Sequence, residues 1–341
     1  MVGKRGLLIL HNSLLQIIEK MQDRKIMVIG DIVADVYLEG KISRISREAP
    51  VLILEHTAEK VVPGGASNAV HNTATLGGNV YAVGVVGDDF AGQELTRILQ
   101  SKTVETAGLI IDASRPTITK TRVMAGGQAT VRQQVVRIDK ESKQALDTRI
   151  EQAVKDYITL HINQMHGVVI SDYGSNTVTP SIIASVIDIC QGRNIPCMVD
   201  SRYNIMAYHG VTVVKQNESE AAKAVGYDII DQGTLQSAGS TILEKLDAQA
   251  VLITLGPDGM GLFEKSGKFT QIPVTNKSEV YDVTGAGDTV VSTMILALAA
   301  GASYEHAARL SNFAAGIVVK KPGTATTTPS ELRLAIREHF E

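Results

Sequence analysis

The sequence Asp282-Val-Thr-Gly-Ala-Gly-Asp288 runs directly into an apolar segment, Thr289-Val-Val-Ser-Thr-Met-Ile-Leu-Ala-Leu-Ala-Ala-Gly301. This pattern predicts a glycine turn that opens into a buried helix. Gly285 and Gly287 permit positive φ and a close approach of the backbone to a ligand. The unpaired amides of the first helical turn and the helix dipole then favour an anion. The turn therefore predicts an anion-binding site.

Asp288 lies at the mouth of this predicted site, where its carboxylate would repel a phosphate that was merely bound. One interpretation is that Asp288 takes a proton from an attacking hydroxyl group while the amides of Gly285, Ala286 and Gly287 hold a transferring phosphoryl group. The other interpretation is that Asp288 only caps the helix, as Asp often does. The motif alone does not separate the two, because short glycine motifs occur in many unrelated proteins.

The composition is that of an ordinary globular protein. The chain has 341 residues, of which 44% are hydrophobic and 20% charged, so its length fits two domains or one large α/β domain with an appendage. A formal net charge of -3 and the absence of Trp argue against a surface for nucleic acid or anionic membrane. Cys190 and Cys197 are too few for a disulfide framework and indicate a reducing compartment. We therefore expect a cytoplasmic protein that binds neither nucleic acid nor membrane.

Strand and helix patterns alternate along the chain. Short apolar runs that end in polar or glycine-rich turns predict buried parallel strands at 25–30, 80–87, 167–171, 196–200, 210–214 and 250–254. Apolar residues at helical spacing predict a short amphipathic helix from Leu14 to Met21. The predicted fold class is therefore α/β, a doubly wound parallel sheet flanked by helices.

Polar residues and glycines follow several of these strands, at the edge where open α/β sheets bind their ligands. The glycines permit close backbone approach, and an asparagine offers both donor and acceptor to a polyol. Turn aspartates and an ordinary helix cap are the alternative interpretation. The candidates for binding a sugar at this edge are Asp31, Asp35, Gly64, Gly65, Asn68 and Asp172.

A second set of residues suits a nucleotide. Asn217 followed by Glu220 matches a capping box, and Glu220 also suits Mg²⁺ held through water beside nucleotide phosphates. The glycines of the 254–259 loop suit a nucleoside, and the small-residue helix face near Gly316 suits either an adenine ring or close helix packing. The candidates for binding the nucleotide are Asn217, Glu220, Thr254, Gly256, Gly259, Thr284, Asn312 and Gly316.

Two further segments predict a small second sheet. Residues 36–56 and 117–139 alternate apolar residues with charges, and Pro50 in the first segment is typical of an edge ribbon. A small sheet beside a large α/β layer suggests a lid, with strands from about 36–60 and 115–140. Arg132, Gln133 and Arg137 are candidates for contacting a sugar or a sugar phosphate, although exposed strand charges are usually just solvated.

These motifs resemble, in their order, the signatures of the ribokinase-like (PfkB) carbohydrate kinases. The 282–288 turn is similar to their C-terminal signature, and Pro63-Gly-Gly-Ala-Ser-Asn-Ala69 is similar to their N-terminal one. Within the family the chain is most similar to the D-glycero-β-D-manno-heptose-7-phosphate kinases. The matching segments are Gly30-Asp31, Arg44-Ile-Ser-Arg-Glu-Ala-Pro-Val51, Arg132-Gln-Gln-Val-Val-Arg-Ile-Asp139, Ser171-Asp-Tyr-Gly174 and Lys321-Pro-Gly-Thr324.

The resemblance implies ATP, Mg²⁺ and transfer of the γ-phosphate to the anomeric hydroxyl group of the sugar. It implies Asp288 as the base, the 285–287 amides as the anion hole, and a sugar pocket roofed by the lid and formed by Asp31, Gly64, Gly65 and Asn68. It also implies a monovalent-cation site, for K⁺, near the 282–288 turn and a homodimer formed through the lid. Residues 25–341 would form the ribokinase-like kinase domain, and residues 1–24 an N-terminal helical extension.

The chain departs from the heptose kinases where they are expected to hold the sugar phosphate. Ser175 stands where they carry a lysine, and Asp200-Ser-Arg202 stands where they carry Asp-Pro-Lys. Arg202 is a candidate replacement for the lost charge because Arg binds phosphate well.

The acceptor is therefore open between heptose phosphate and another sugar, sugar phosphate or nucleoside. A non-catalytic sugar- or nucleotide-binding protein is the remaining alternative. No adenylyltransferase activity is expected from this chain, which ends at residue 341.

Overall fold

The computed structural model describes residues 4–126, 133–275 and 280–340. Within them the strands are β1 (Lys25–Gly30), β2 (Ile32–Ile45), β3 (Leu52–Gly65), β4 (Asn79–Val86), β5 (Glu105–Ile111), β6 (Ile118–Gly126), β7 (Gln133–Lys140), β8 (Gly167–Asp172), β9 (Cys197–Ser201), β10 (Val213–Asn217), β11 (Ala250–Thr254), β12 (Met260–Glu264) and β13 (Phe269–Ile272). The α-helices are α1 (Lys4–Lys20), α2 (Ala66–Thr75), α3 (Phe90–Gln100), α4 (Thr148–His161), α5 (Pro180–Arg193), α6 (Glu218–Val225), α7 (Gln232–Leu246), α8 (Ala286–Ala299), α9 (Tyr304–Val318) and α10 (Pro329–Phe340).

The large sheet has nine strands in the order β13-β12-β11-β10-β9-β8-β1-β4-β5. The pairs from β5 to β11 are parallel, and β12 and β13 are antiparallel to their neighbours. The sequence of β1 accounts for its place inside the parallel part of the sheet. It is an apolar run with five of its six residues buried, as expected for a strand covered on both faces. The predicted doubly wound α/β sheet is thus confirmed.

Hydrophobic side chains form two clusters, one on each face of the large sheet. The first joins Val28 of β1 to Met294 and Leu296 of α8, and continues into α1, α2, α9 and α10. The second joins Ile29 of β1 to side chains of α4, α5 and α7. Successive residues of a strand point to opposite faces, so Val28 and Ile29 enter different clusters. This double core holds the carboxyl ends of the parallel strands in fixed positions.

A second sheet of four strands, in the order β3-β2-β6-β7, stands beside the large one. β2 follows β1 after one residue, is buried over its first five residues and is exposed at its far end. All eight residues of β7 are exposed. The predicted pairing of the two β-rich segments is therefore present. The predicted hairpin tip runs from Ala125 into Gly127, which lies outside the described residues, as does the candidate ligand Arg132.

Two local expectations differ from the structure. α1 spans Lys4–Lys20 rather than Leu14–Met21, and its Leu14 and Ile18 are fully buried. β10 lies three residues later than the predicted strand at 210–214, so it includes Lys215. β5, β12 and β13 were not predicted from the sequence. Over the described ranges, no helix combines the length and the apolar character needed to cross a bilayer.

Candidate active site

The glycine turn opens α8 as predicted. Gly285 is the N-cap residue with φ of 79°, and no side chain caps this helix. A Cβ atom at Gly285 would lie 2.7 Å from Asn68 Nδ2, and one at Gly287 would lie 2.9 Å from Lys215 Nζ. Both glycines therefore leave room for the close approach of neighbouring polar side chains.

The amides of this turn are only partly free. The Ala286 N–H donates to the Val283 carbonyl at 3.2 Å, so it is engaged within the turn. Among the described residues, the N–H groups of Gly285, Gly287 and Asp288 have no acceptor. These three amides, at the positive end of the α8 dipole, are available to an anion.

Asp288 is almost fully buried, and its carboxylate bonds to side chains of other elements. Asn68 Nδ2 on α2 donates to Oδ2 at 2.7 Å, and the Tyr173 hydroxyl group donates to Oδ1 at 2.9 Å. Burial raises the pKa of Asp288 to about 6, a direction that nearby Asp200 reinforces and that the Asn68 and Tyr173 hydrogen bonds and Lys215 oppose. Such a carboxylate is ionised at neutral pH and able to accept a proton.

Asn68 is itself held by a buried polar network between α2 and α8. Asn72 Nδ2 donates to Asn68 Oδ1 at 3.1 Å, and the Thr289 hydroxyl group donates to Asn72 Oδ1 at 2.8 Å. The Asn68 side chain therefore accepts one hydrogen bond through Oδ1 and donates another through Nδ2. Asn68, predicted as a sugar ligand, is placed as a partner of Asp288.

A cavity of about 300 Å³ opens in front of Asp288. Its wall contains predicted residues from the sugar set, the nucleotide set and the catalytic turn, which are Asp172, Arg202, Asn217, Glu220, Thr284, Gly285, Gly287 and Asp288. The other wall residues are Tyr173, Asp200, Lys215 and Val283. The carboxyl ends of β8, β9 and β10 thus meet the α8 turn at one site.

Lys215 is a site residue that the sequence prediction missed. It is buried on β10, and its Nζ lies 2.9 Å from Asp200 Oδ2 on the neighbouring β9. Burial lowers the pKa of Lys215, but the charges of Asp200, Glu220 and Asp288 outweigh it and the net shift is upward. Lys215 is therefore a fixed positive charge beside the glycine turn. A lysine directly after the apolar residues Val213 and Val214, at the end of a predicted strand, was the signal available in the sequence.

Asp31 is fully buried at the end of β1. The backbone N–H groups of Tyr173, Ser175 and Thr177 donate to its two oxygens at 2.8, 3.1 and 3.3 Å. Burial raises the pKa of Asp31, against the effect of these hydrogen bonds. The carboxylate thereby fixes the loop after β8 that carries Tyr173. Its predicted contact with a sugar stays a prediction.

Asp35 lies on β2 and forms a largely buried ion pair with Arg122 of β6. Arg122 Nη1 is 2.8 Å from Asp35 Oδ1, and its guanidinium lies 5.5 Å from the centre of the Tyr37 ring. A Cβ atom at Gly64 would lie 2.7 Å from the Asp35 carboxyl carbon. Gly64 therefore makes room for Asp35, and the neighbouring Gly65 has φ of 51° where the chain enters α2.

Asp172 and Arg202 lie at the adjoining strand ends. Asp172 Oδ2 accepts hydrogen bonds from the hydroxyl groups of Ser201 and Tyr208 at 2.7 and 2.8 Å. The Arg202 guanidinium is exposed and lies 5.0 Å from the centre of the Tyr173 ring. Lys120 Nζ lies 5.4 Å from the same ring centre. In the described part of the chain, neither cation forms an ion pair.

Asn217 and Glu220 form the predicted capping box at the start of α6. The Glu220 N–H donates to Asn217 Oδ1 at 2.8 Å, and the Asn217 N–H donates to Glu220 Oε2 at 2.9 Å. Both residues also line the cavity. No cluster of three or more His, Cys, Asp or Glu side chains within residues 4–126, 133–275 and 280–340 is placed to chelate a metal. The arrangement fits a metal that keeps most of its waters and takes one carboxylate.

The remaining candidates do not line the cavity. Thr254 pairs with Asn217 in register, and Gly256 and Gly259 shape the turn after β11 with φ of 56° and 88°. Asn312 Nδ2 donates to the Pro273 carbonyl at 2.7 Å. The other three are Gly316, where a Cβ atom would meet Thr275 Oγ1 at 2.9 Å, Gln133 at the start of β7, and Arg137, paired with Asp139 on the same strand.

A family model described as pfkB family carbohydrate kinase matches residues 23–331. The chain belongs to the pfkB family of carbohydrate kinases. The predicted family and enzyme class, a phosphotransferase with an alcohol group as acceptor, are thereby confirmed.

Relatives of this pfkB family chain include two proteins named bifunctional protein HldE. The one from Geobacter sulfurreducens is 41% identical over 307 residues, which are 90% of this chain and 61% of the relative. The one from Desulfatibacillum aliphaticivorans is 41% identical over 315 residues, which are 92% of this chain and 63% of the relative. The chain therefore spans less than two thirds of the length of these relatives.

Solved structures of sugar kinases share the fold of this pfkB family chain. Phosphofructokinase-2 from Escherichia coli, in complex with potassium, matches 94% of this chain and 100% of its own with a TM-score of 0.73 at 20% identity. Arabidopsis thaliana ribokinase, complexed with ribose and ATP, matches 94% of this chain and 99% of its own with a TM-score of 0.68 at 18% identity. At such identities the likeness concerns the fold alone, and it confirms the predicted ribokinase-like architecture.

Proposed function

We propose that this protein transfers the γ-phosphate of ATP to the anomeric hydroxyl group of D-glycero-β-D-manno-heptose 7-phosphate, with Asp288 as the general base. One observation carries the proposal: a buried carboxylate with a pKa of about 6 lies beside free amides at a helix N-terminus and faces a cavity. The motifs shared with heptose-7-phosphate kinases and the relatives named HldE support this choice of acceptor.

Asp288 would accept the proton of the attacking hydroxyl group. Its pKa of about 6 leaves it mostly ionised at neutral pH, while keeping it basic enough to assist proton removal. The amides of Gly287 and Asp288 and the Lys215 ammonium lie beside it and would stabilise the negative charge of the transferring phosphoryl group. Phosphoryl transfer needs mainly positioning and electrostatic stabilisation, which this arrangement supplies.

Glu220 is proposed to hold Mg²⁺ through water, and the Asn217 N–H group donates a hydrogen bond that orients its carboxylate. When bound, Mg²⁺ neutralises charge on the nucleotide phosphates. Thr254, Gly256, Gly259, Asn312 and Gly316 are proposed to line the nucleoside side of the same edge.

Two cationic side chains favour an acceptor that carries a phosphate, because neither forms an ion pair within the residues that the structure describes. Arg202 and Lys120 approach the Tyr173 ring from the large sheet and from the four-stranded sheet, next to the cavity. A neutral sugar would leave both cations without an ionic partner. A different phosphorylated sugar is therefore the second candidate acceptor.

Assembly, ion requirement and location belong to the same proposal. The exposed apolar residues Val135, Val136 and Ile138 on β7 support a homodimer formed through the four-stranded sheet. K⁺ dependence is proposed from the resemblance described above, and a cytoplasmic location from the composition and the two cysteines. Sedimentation at several protein concentrations and activity in K⁺ against Na⁺ test the first two.

The deciding experiment measures ATP consumption by the purified chain with Mg²⁺ and a panel of neutral sugars, sugar phosphates and nucleosides. Heptose 7-phosphate should give the highest kcat/KM. Arg202→Met should raise the KM for a phosphorylated acceptor by roughly tenfold or more, since an Arg–phosphate contact contributes about 1.5–3 kcal/mol. Exchange of the exposed, distant Arg193 for Met is the matched control. Preference for an unphosphorylated sugar would reject the proposed acceptor.

A further inference from the structure

We infer that Tyr173 is a positioning residue of the phosphoryl-transfer reaction, whose hydroxyl group holds one oxygen of Asp288 and favours its ionised form. The inference rests on the proposed function for its catalytic meaning. The contact itself is independent of which sugar is the acceptor. Tyr173 was part of a quoted sequence motif, but nothing in the sequence assigned its hydroxyl group a partner.

The hydrogen bond is directional and specific to the base. The Tyr173 hydroxyl group donates to Asp288 Oδ1 at 2.9 Å, while Asn68 donates to the other oxygen. A donor to a carboxylate stabilises the charged form and so lowers its pKa. Burial and the Asp288 charge raise the pKa of Tyr173 well above 10, so it remains a donor throughout the range in which Asp288 titrates.

The backbone and ring of Tyr173 are fixed from three sides. Its N–H donates to Asp31 Oδ2 at 2.8 Å, which anchors the loop to the end of β1. Lys120 on β6 and Arg202 after β9 lie 5.4 and 5.0 Å from the ring centre, within the range of cation–π attraction. The hydroxyl group is therefore held toward Asp288 by contacts from both sheets.

Two charged groups and one amide around Asp288 also affect its pKa. Asp200 on β9 raises the pKa of Asp288, and Lys215 on β10 lowers it. From α2, Asn68 lowers it through its hydrogen bond. Removing only the Tyr173 hydroxyl group leaves these three in place, so Tyr173→Phe isolates its contribution.

The first test measures the pKa of Asp288 without any catalysis. The difference in unfolding free energy between the parent protein and its Asp288→Asn variant changes with pH through the pKa of Asp288. In the Tyr173→Phe background this change should move upward by about one pH unit, because a hydrogen bond to a charged group contributes about 1.5 kcal/mol. Urea denaturation between pH 4 and pH 9 gives both curves.

Tyr208→Phe is the matched control for this measurement. Tyr208 is also buried, but its hydroxyl group donates to Asp172 at 2.8 Å rather than to Asp288. Its removal should leave the Asp288 transition where it is in the parent protein. An unchanged transition in Tyr173→Phe, or an equal shift in Tyr208→Phe, would overturn the inference.

The second test is the pH profile of turnover. In Tyr173→Phe the acid limb of kcat should move upward together with the stability transition, with the KM for ATP unchanged. A uniform fall in kcat at every pH would instead indicate a merely structural role. If the parent protein phosphorylates no acceptor, the proposed function fails, whereas the stability measurement still decides the role of Tyr173.

Discussion

Two helices, α6 and α8, begin at the same cavity, and each has an acidic residue at its third position. In α6 that residue is Glu220, which bonds back to the N-cap amide of Asn217. In α8 it is Asp288, whose N-cap is a glycine and whose carboxylate bonds to Asn68 and Tyr173 instead. The same position in two helices therefore holds acidic residues with different hydrogen-bond partners.

The difference comes from what surrounds each carboxylate. Glu220 is only partly buried and satisfies its own helix, so α6 offers no free amide at Asn217 for a ligand. Asp288 is buried and turned away from its helix, which leaves the Gly287 and Asp288 amides free. The α6 acid stabilises a helix that bounds the cavity, whereas the α8 acid is suited to chemistry within it.

The largest expected effect follows from removing the charge at the α8 position. Asp288→Asn should lower kcat by about 10²–10⁴-fold, the usual contribution of a general base, with ATP binding nearly intact. Asn fits the site, because its oxygen can accept from Asn68 and its amide can donate to the Tyr173 hydroxyl group. Steady-state kinetics and ATP titration measure the two quantities.

Glu220→Gln is the matched change at the α6 position. Gln also forms a capping box, so only the charge is altered. This variant should require more Mg²⁺ for half-maximal activity and keep the acid limb of the pH profile. Near-normal turnover of Asp288→Asn would show that Asp288 is not the base.

The backbone of the two helices provides a second contrast. Gly285→Ala should lower kcat by about 10–100-fold, because the new Cβ atom would lie 2.7 Å from Asn68 Nδ2 and displace the partner of Asp288. Gly226→Ala at the end of α6 is the control, since Gly226 also has positive φ but nothing within 4 Å of its Cβ position. Both should lose about 1 kcal/mol of stability, and kinetics should separate them. Equal kcat values in the two variants would contradict this account.

Stability should respond to pH through Asp288. Its folded-state pKa of about 6 lies above the ordinary value of 3.8, so the folded protein binds the proton more tightly than the unfolded chain. The resulting stability is fully present below pH 3.8 and is lost as pH rises through about 6. Asp288→Asn should therefore be more stable than the parent protein at pH 8, by up to about 3 kcal/mol, and similar to it near pH 4. Urea denaturation at both pH values checks the sign.

The smallest effect is expected at the α6 cap, and it has the opposite sign. Asn217→Ala should destabilise the protein by about 1 kcal/mol through loss of the side-chain acceptor for the Glu220 amide. Asn217→Ser, which keeps an acceptor, should restore most of that stability. If Asn217→Ala stabilised the protein as Asp288→Asn does at pH 8, the contrast between the two helix starts would be lost.

The α/β fold and the location of the site were predictable because their signals are local. Continuous apolar runs such as Lys25–Gly30 indicate strands covered on both faces, and the parallel arrangement brings their carboxyl ends to one edge. The glycine turn before α8 was likewise readable, since positive φ and close approach are properties of the backbone. These features do not depend on which distant side chains meet.

The roles of individual side chains depended on three-dimensional packing. Asn68 and Asp288 are 220 residues apart, and only the packing of α2 on α8 makes them partners. Lys215 is tolerated inside β10 because β9 places Asp200 beside it. Whether Asp288 caps its helix or faces a substrate was undecided in the sequence, because both roles use the same residue at the same helical position. In the structure the Asp288 carboxylate does not cap α8, because it is buried and accepts from Asn68 and Tyr173, and neither property belongs to the local sequence.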